Sequence, residues 1–99
     1  MSFVTTQPEI LTAASSDLQA IGAAVSAQNA AAAVPTTRVV PAAADAVSAL
    51  TAAQFNVHAA LYQTVSAQAA AIDQMFVETL RSSAGSYAAT EAANALAAS

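Results

Sequence analysis

The side chains that could perform chemistry are few and widely spaced in this 99-residue chain. His58 is the only histidine and cysteine is absent, whereas a zinc site needs three or four ligands. A Ser–His–Asp arrangement would need Ser66, His58 and Asp45. Two helical turns separate the first two and Asp45 lies farther away, so one straight helix cannot bring the three together. A glycine-rich phosphate loop is also missing. The sequence therefore predicts a protein that is not an enzyme and that uses no metal or cofactor.

Composition limits the kind of partner that the chain can bind. The net charge is −4, and Arg38 and Arg81 are the only basic residues apart from the histidine, which argues against nucleic acid and against anionic membranes. Charged residues make up 8% and hydrophobic residues 57%. A helical chain with so little charge usually has surface that another protein covers.

The chain gives no sign of a membrane span or of an ordinary signal peptide. Two uncharged stretches, 18–37 and 46–72, are interrupted by polar residues, so neither is apolar all round and we expect no membrane insertion. The first nine residues lack the basic and apolar regions of a cleavable secretory signal.

The elements that must position these residues are helices, because alanine dominates and only two Gly and three Pro occur. We expect a first helix over about 8–33, with Thr6 as N-cap and Pro8 in its first turn. A connector over 34–40 leads to a second helix over about 41–82. The Gly85 cluster should stop that helix, leaving a partly mobile tail over 83–99. A connector this short makes the two helices antiparallel neighbours.

Apolar residues recur on both helices at spacings of three and four. The first helix has one seam: Leu11, Ala14, Leu18, Ile21, Val25, Gln28 and Ala32. The second has two adjacent stripes: Val47, Leu50, Gln54, Val57, Leu61, Val65, Gln68, Ile72 and Met75, and Phe55, His58, Tyr62, Val65, Ala69, Ile72, Phe76 and Leu80. One stripe suffices to pack against the first helix, and two make a face wider than one neighbour covers.

The fold class that follows is all-α: an antiparallel two-helix hairpin that completes a four-helix bundle with a partner chain. The predicted interface residues are Leu11, Leu18, Ile21, Val25, Leu50, Phe55, Val57, Leu61, Tyr62, Val65, Ile72 and Phe76. The same stripes permit a homo-oligomer of hairpins with a structural or cell-surface role. A lipid-surface binder is a third alternative, against which the low charge counts. Gln54 and Gln68 belong to the first stripe of the second helix. They either lie at the edge of that stripe and reach water, or they fix the register of the helices across the interface.

Several motifs together resemble the mycobacterial PE family. They are the pair Pro8–Glu9, the helix–proline–helix layout, the connector sequence VPTTRVVPAAADAVSAL, and a tail in which Tyr87 precedes Glu91 by four residues. The resemblance covers essentially the whole chain. The Pro–Glu pair alone is a very weak motif, whereas the connector, the length and the tail together are fairly specific.

The resemblance implies a partner and a route of export. PE proteins pair with PPE proteins in a helical bundle, and type VII secretion systems export the pairs to the cell envelope or outside the cell. Tyr-x-x-x-Asp/Glu after the second helix is the general export signal of such substrates, and here it falls on Tyr87 and Glu91. The dedicated chaperone of the system binds the PPE partner, so no chaperone site is expected here. From the residues alone, Tyr87 packing on the bundle end beside a solvated Glu91 is the alternative.

Overall fold

The computed structural model describes residues 4–99, and over that range it contains two α-helices and no strand. Helix α1 is Pro8–Thr37 (30 residues) and helix α2 is Ala46–Ala98 (53 residues). The helices pack against each other as an all-α hairpin, which confirms the predicted fold class of the chain itself.

The described residues form two compact units, each made of part of α1 and part of α2. The first unit contains residues 4–21 and 72–99, and there the Arg81 guanidinium donates a hydrogen bond to the Gln19 side chain. The second unit contains residues 22–71, and there the Gln63 amide donates to the main-chain oxygen of Asn29, 2.9 Å away. In each unit, residues later in or next to the first helix contact residues that lie earlier in the second: Thr6 contacts Glu91 and Gln19 contacts Arg81, and Asn29 contacts Gln63 and Val39 contacts Asn56. This order is that of an antiparallel pair.

In the second unit, small and polar residues of α2 form the face that packs against α1 and the connector. The least exposed residues of α2 there recur mostly at spacings of four and three: Ser48, Ala52, Asn56, Ala59, Gln63, Ser66 and Ala70. In the first unit the less exposed residues of α2 include Asp73, Val77, Leu80, Ala84 and Glu91. We call these two sets the α2 seam. Ala52, Val77 and Ala84 are its buried members.

The prediction that one large apolar stripe of α2 packs against α1 was therefore wrong. Except for Leu80, the large residues of both stripes are exposed. In the second unit the reason is the size of the seam residues: alanine and serine let two helix backbones approach closely, and bulky side chains would hold them apart.

On α1 only part of the predicted seam is enclosed. Leu11, Ala14, Leu18 and Ala32 are half-buried, whereas Ile21, Val25 and Gln28 are exposed. The half-buried residues of α1 in the second unit are Gly22, Asn29, Ala32, Ala33 and Thr37. Asn29 faces α2 because its side-chain oxygen accepts from the Tyr62 hydroxyl, 3.0 Å away, and its main-chain oxygen from Gln63.

Helix α1 continues four residues beyond the predicted end. The hydroxyls of Thr36 and Thr37 each donate to a carbonyl four residues earlier, at 2.6 Å, a local side-chain bond that threonine commonly makes within a helix. Pro35 lies inside this last turn, where a missing N–H removes only one backbone hydrogen bond.

Helix α2 starts five residues later than predicted, because Asp45 rather than Pro41 sets its first turn. A carboxylate oxygen of Asp45 accepts from the Ser48 amide at 2.9 Å, and its carbonyl accepts from the Ala49 amide at 3.1 Å. This is the geometry of an N-cap. At the start of α1, Pro8 is the first helical residue as expected. The N-cap position is therefore Gln7 and not Thr6 as predicted, and the Thr6 hydroxyl donates to Glu91.

The structure also continues α2 through Gly85, where we predicted a stop. No described residue has a positive φ, so Gly85 does not adopt the left-handed conformation that ends many helices. The sequence after it, YAATEAANALAA, is rich in the best helix-forming residue.

Candidate protein-interaction surfaces

The second unit exposes a row of large apolar side chains on α2. Leu50, Val57, Leu61 and Val65 are each 58–66% exposed. Leu61 lies two residues from both Ala59 and Gln63 of the seam, which places it about 200° around the helix from each. We call this row the outer face: it points away from α1, and α1 therefore cannot cover it.

The two flanks of α2 in the second unit differ in character. Phe55 and Tyr62 lie seven residues apart on one flank and are 61% and 53% exposed. Tyr62 still reaches α1 through its hydroxyl. The other flank carries the exposed alanines Ala53, Ala60 and Ala67. The unit therefore has an apolar outer face, one aromatic flank and one flank of small residues.

The first unit has exposed apolar residues of its own. Ile72, Met75 and Phe76 follow each other at helical spacing on α2 and are 52–63% exposed, and Ile10 of α1 is 58% exposed. Of the twelve predicted interface residues, ten are at least half exposed, and Leu11 and Leu18 are half-buried. Sequence reasoning missed Ile10 and the connector residue Val40, which is 80% exposed.

The two residues of the predicted export signal lie near the end of α2, in the first unit. Tyr87 is 47% exposed. Glu91 is half-buried, and one of its carboxylate oxygens accepts two hydrogen bonds from Thr6, from the backbone amide and from the hydroxyl, both at 3.0 Å. The sequence did not reveal this contact, because 85 residues separate the partners.

Pro8 and Glu9 line an open cleft of about 470 Å³ in the first unit. The remaining lining residues are Thr12 of α1 and Arg81, Ala84, Gly85 and Ala88 of α2. The cleft holds one acidic and one basic side chain over a floor of small residues. It brings the Pro–Glu pair close to the segment of α2 that contains Tyr87.

Titratable groups in the described part of the chain do not converge on a reaction centre. Residues 4–99 contain no group of three or more His, Asp or Glu side chains that could hold a metal ion, and His58 is exposed. Hydrogen bonds from Ser48, mainly from its side chain and also from its backbone, lower the pKa of Asp45. A lowered pKa fits an N-cap carboxylate rather than a catalytic acid. Within the same residues, no helix is long and apolar enough to cross a bilayer.

Comparison with known proteins decides the family. The PE family model matches residues 4–94. The chain belongs to the PE family. It is 69% identical to the PE family protein PE13 of Mycobacterium tuberculosis strain H37Rv, over the whole length of both chains. Nearly all of this PE chain also matches PE8 of the same strain at 58% identity and PE_PGRS33 of strain CDC 1551 at 58%, but it spans only 36% and 20% of those two proteins.

Proposed function

We propose that this PE protein is a non-enzymatic interaction protein that forms an obligate heterodimer with a PPE-family protein. A type VII secretion system exports the pair to the cell envelope or outside the cell, and Tyr87 and Glu91 form the export signal. The chaperone of that system contacts the PPE partner and not this chain. Family membership supports the assignment, and one structural observation carries it: the large apolar side chains lie outside the hairpin.

The hairpin has almost no core of its own. Among residues 4–99 only Ala52, Val77, Ala84 and Ser15 are buried. In the second unit, six large side chains are 53–66% exposed: Leu50, Phe55, Val57, Leu61, Tyr62 and Val65. Covering the exposed half of each would contribute about 1 kcal/mol. Together that is several kcal/mol, of the same order as the total stability of a typical domain.

The first experiment asks whether a PPE chain supplies the missing cover. The chain is expressed alone and together with a candidate PPE protein, and the mass in solution is measured by light scattering. We expect a one-to-one complex and poor solubility of the single chain. A well-folded monomer, or a stable homodimer that ignores PPE chains, would overturn the proposal, and the homodimer would favour the alternative of self-association.

A pair of neighbouring substitutions tests which surface binds. Leu61→Asp places a charge on the outer face, and Ala60→Asp places the same charge on the flank of small residues. Both positions are exposed in the hairpin, so neither change should unfold it. If the outer face binds the partner, Leu61→Asp should weaken the complex by at least about tenfold, because a buried unpaired charge is costly. Ala60→Asp is the matched control, and equal effects would contradict the assignment.

The export signal needs a separate test. Tyr87→Ala should stop export and leave the complex assembled, because Tyr87 lies far from the outer face of the second unit in sequence. Thr90→Ala, at an exposed position between the two signal residues, is the control. Normal export of Tyr87→Ala would remove Tyr87 from the signal.

A further inference from the structure

The contact between Glu91 and Thr6 sets the end of α2 apart from the rest of the helix. After Ala84, Glu91 is the only residue of the chain that is not exposed. Tyr87 and Leu96, the large side chains of this segment, are 47% and 78% exposed. The last turns of α2 therefore gain little from apolar packing on α1, and Gly85 at their start weakens the helix further.

Glu91 compensates for this missing packing with a contact of good geometry. Both donors of Thr6, its amide and its hydroxyl, lie 3.0 Å from the same oxygen, Oε1. Thr6 lies two residues before the first residue of α1, so the carboxylate also lies near the positive end of a helix dipole, where a negative charge is stabilised. A carboxylate oxygen that accepts from one N–H and one O–H group makes charge-assisted hydrogen bonds, which are stronger than those between neutral groups.

We propose that Glu91 acts in export as an intramolecular clamp, and that Thr6 is its positioning residue. The clamp keeps the segment after Gly85 helical and fixed to the start of α1, so that Tyr87 is presented on an ordered helix. In this proposal the secretion machinery binds the tyrosine. The carboxylate holds the helix in place and is not itself bound by the machinery. This inference rests on the proposed export function.

The test uses five variants of the full chain, in the complex in which it is soluble. Thr6→Val removes the hydroxyl but keeps the side-chain shape, whereas Thr6→Ser keeps both donors. Glu91→Ala removes the acceptor, whereas Glu91→Gln keeps an acceptor oxygen without the charge. Thr5→Val is the matched control, because Thr5 is the exposed neighbour of Thr6. Two quantities are measured: amide hydrogen exchange over residues 86–98, with residues 46–71 as internal reference, and the exported fraction.

We expect Thr6→Val and Glu91→Ala to speed exchange over 86–98 by about threefold or more, as loss of a charge-assisted hydrogen bond predicts. Residues 46–71 should be unchanged. Thr6→Ser and Thr5→Val should behave like the unmodified chain, and Glu91→Gln should lie between. Export should fall in the same order, with Thr6→Ser restoring what Thr6→Val loses.

Two results would overturn the inference. If Thr6→Val and Glu91→Ala leave exchange unchanged, the clamp does not order the segment. If Thr6→Val speeds exchange but leaves export intact while Glu91→Gln abolishes it, the machinery reads the charge directly. Failure of the proposed export signal is distinguishable from both, because Tyr87→Ala would then be exported normally while the exchange measurement still decides whether the clamp exists.

Discussion

At the scale of single residues, the polar side chains that connect the helices were the hardest to foresee. The sequence drew attention to Gln54 and Gln68, which lie among apolar residues, yet both are exposed. The glutamine of α2 that does connect the two helices is Gln63, whose side-chain amide donates to the main-chain oxygen of Asn29 in α1. Similarly, the Asn56 oxygen accepts from the amide of Val39 in the connector at 2.7 Å. Spacing along one helix does not show which amide has a partner on the other.

Gln63→Ala should lower the stability of the hairpin, because it leaves the half-buried carbonyl of Asn29 without this donor. The expected cost is about 1 kcal/mol, the usual net contribution of one such hydrogen bond. Chemical denaturation of the complex measures it. Gln68→Ala is the control, and it should change stability by less than about 0.5 kcal/mol as an exposed substitution. Equal effects of the two changes would show that the bond to Asn29 contributes nothing.

Asp45 gives α2 a pH-dependent cap. Because its pKa is lowered in the folded chain, its contribution to stability is present above its unfolded pKa of about 3.9 and is lost as the pH falls through the folded value. Asp45→Ala should therefore lower the melting temperature at pH 7, and the difference should shrink below about pH 4. Asp45→Asn keeps a capping oxygen that does not titrate, so its melting curve should lack this component. A difference that stays constant down to pH 2 would contradict the assignment.

At the scale of elements, the existence and order of the helices and the start of α1 followed from the sequence, and the other three helix ends did not. Alanine content and spacing indicated two helices with a proline-bounded connector. The start of α2 depends on the Asp45 cap, and the contact of Glu91 with Thr6 holds the segment after Gly85 against the start of α1. The local sequence is compatible with several alternative end positions for each helix. The hydrogen bonds that select among them form only when the chain folds.

At Ala52 the α2 seam should tolerate a small side chain only. Ala52 is 5% exposed, so Ala52→Leu should destabilise the hairpin by about 1–3 kcal/mol through overpacking. Ala53→Leu, at the exposed neighbouring position, should be nearly neutral. Denaturant unfolding of both variants in the complex makes the comparison. A stabilised Ala52→Leu would mean that the packing around Ala52 leaves room for a larger side chain.

Gly85→Ala should stabilise α2. A Cβ atom at Gly85 would meet nothing within 4 Å, and the residue does not have a positive φ. Replacing an interior helical glycine by alanine then gains up to about 1 kcal/mol. Thermal melting measures the gain, and hydrogen exchange over 86–98 should slow at the same time. A lower melting temperature would show that the conformation of Gly85 differs from the helical one.

At the scale of the whole molecule, stability should belong to the assembly rather than to the hairpin. Ligand binding to the folded state stabilises it by about 2.7 kcal/mol at a hundredfold excess over Kd. The melting temperature of the chain should therefore rise with the concentration of an added PPE partner. A melting temperature that does not depend on partner concentration would contradict obligate pairing.

Leu61 provides a second test of whether stability belongs to the assembly. If the hairpin buried Leu61, Leu61→Ala would cost about 2–5 kcal/mol in any state of the chain. Since Leu61 is 61% exposed, the change should affect the hairpin by less than about 0.5 kcal/mol and should act mainly on the complex. Measuring unfolding with and without the partner separates these two outcomes.

The sequence by itself determined the helical class, the antiparallel order of the two helices and the surplus of large apolar side chains, because composition and spacing are local properties of the chain. Only the tertiary structure decided which face of each helix packs. Several rows of residues recur at the same three- and four-residue spacing, and the choice among them depends on how closely two backbones can approach. In the second unit the row of alanine, serine and amide side chains permits the closest approach. The large residues of α2 there are left outside, where the hairpin cannot cover them.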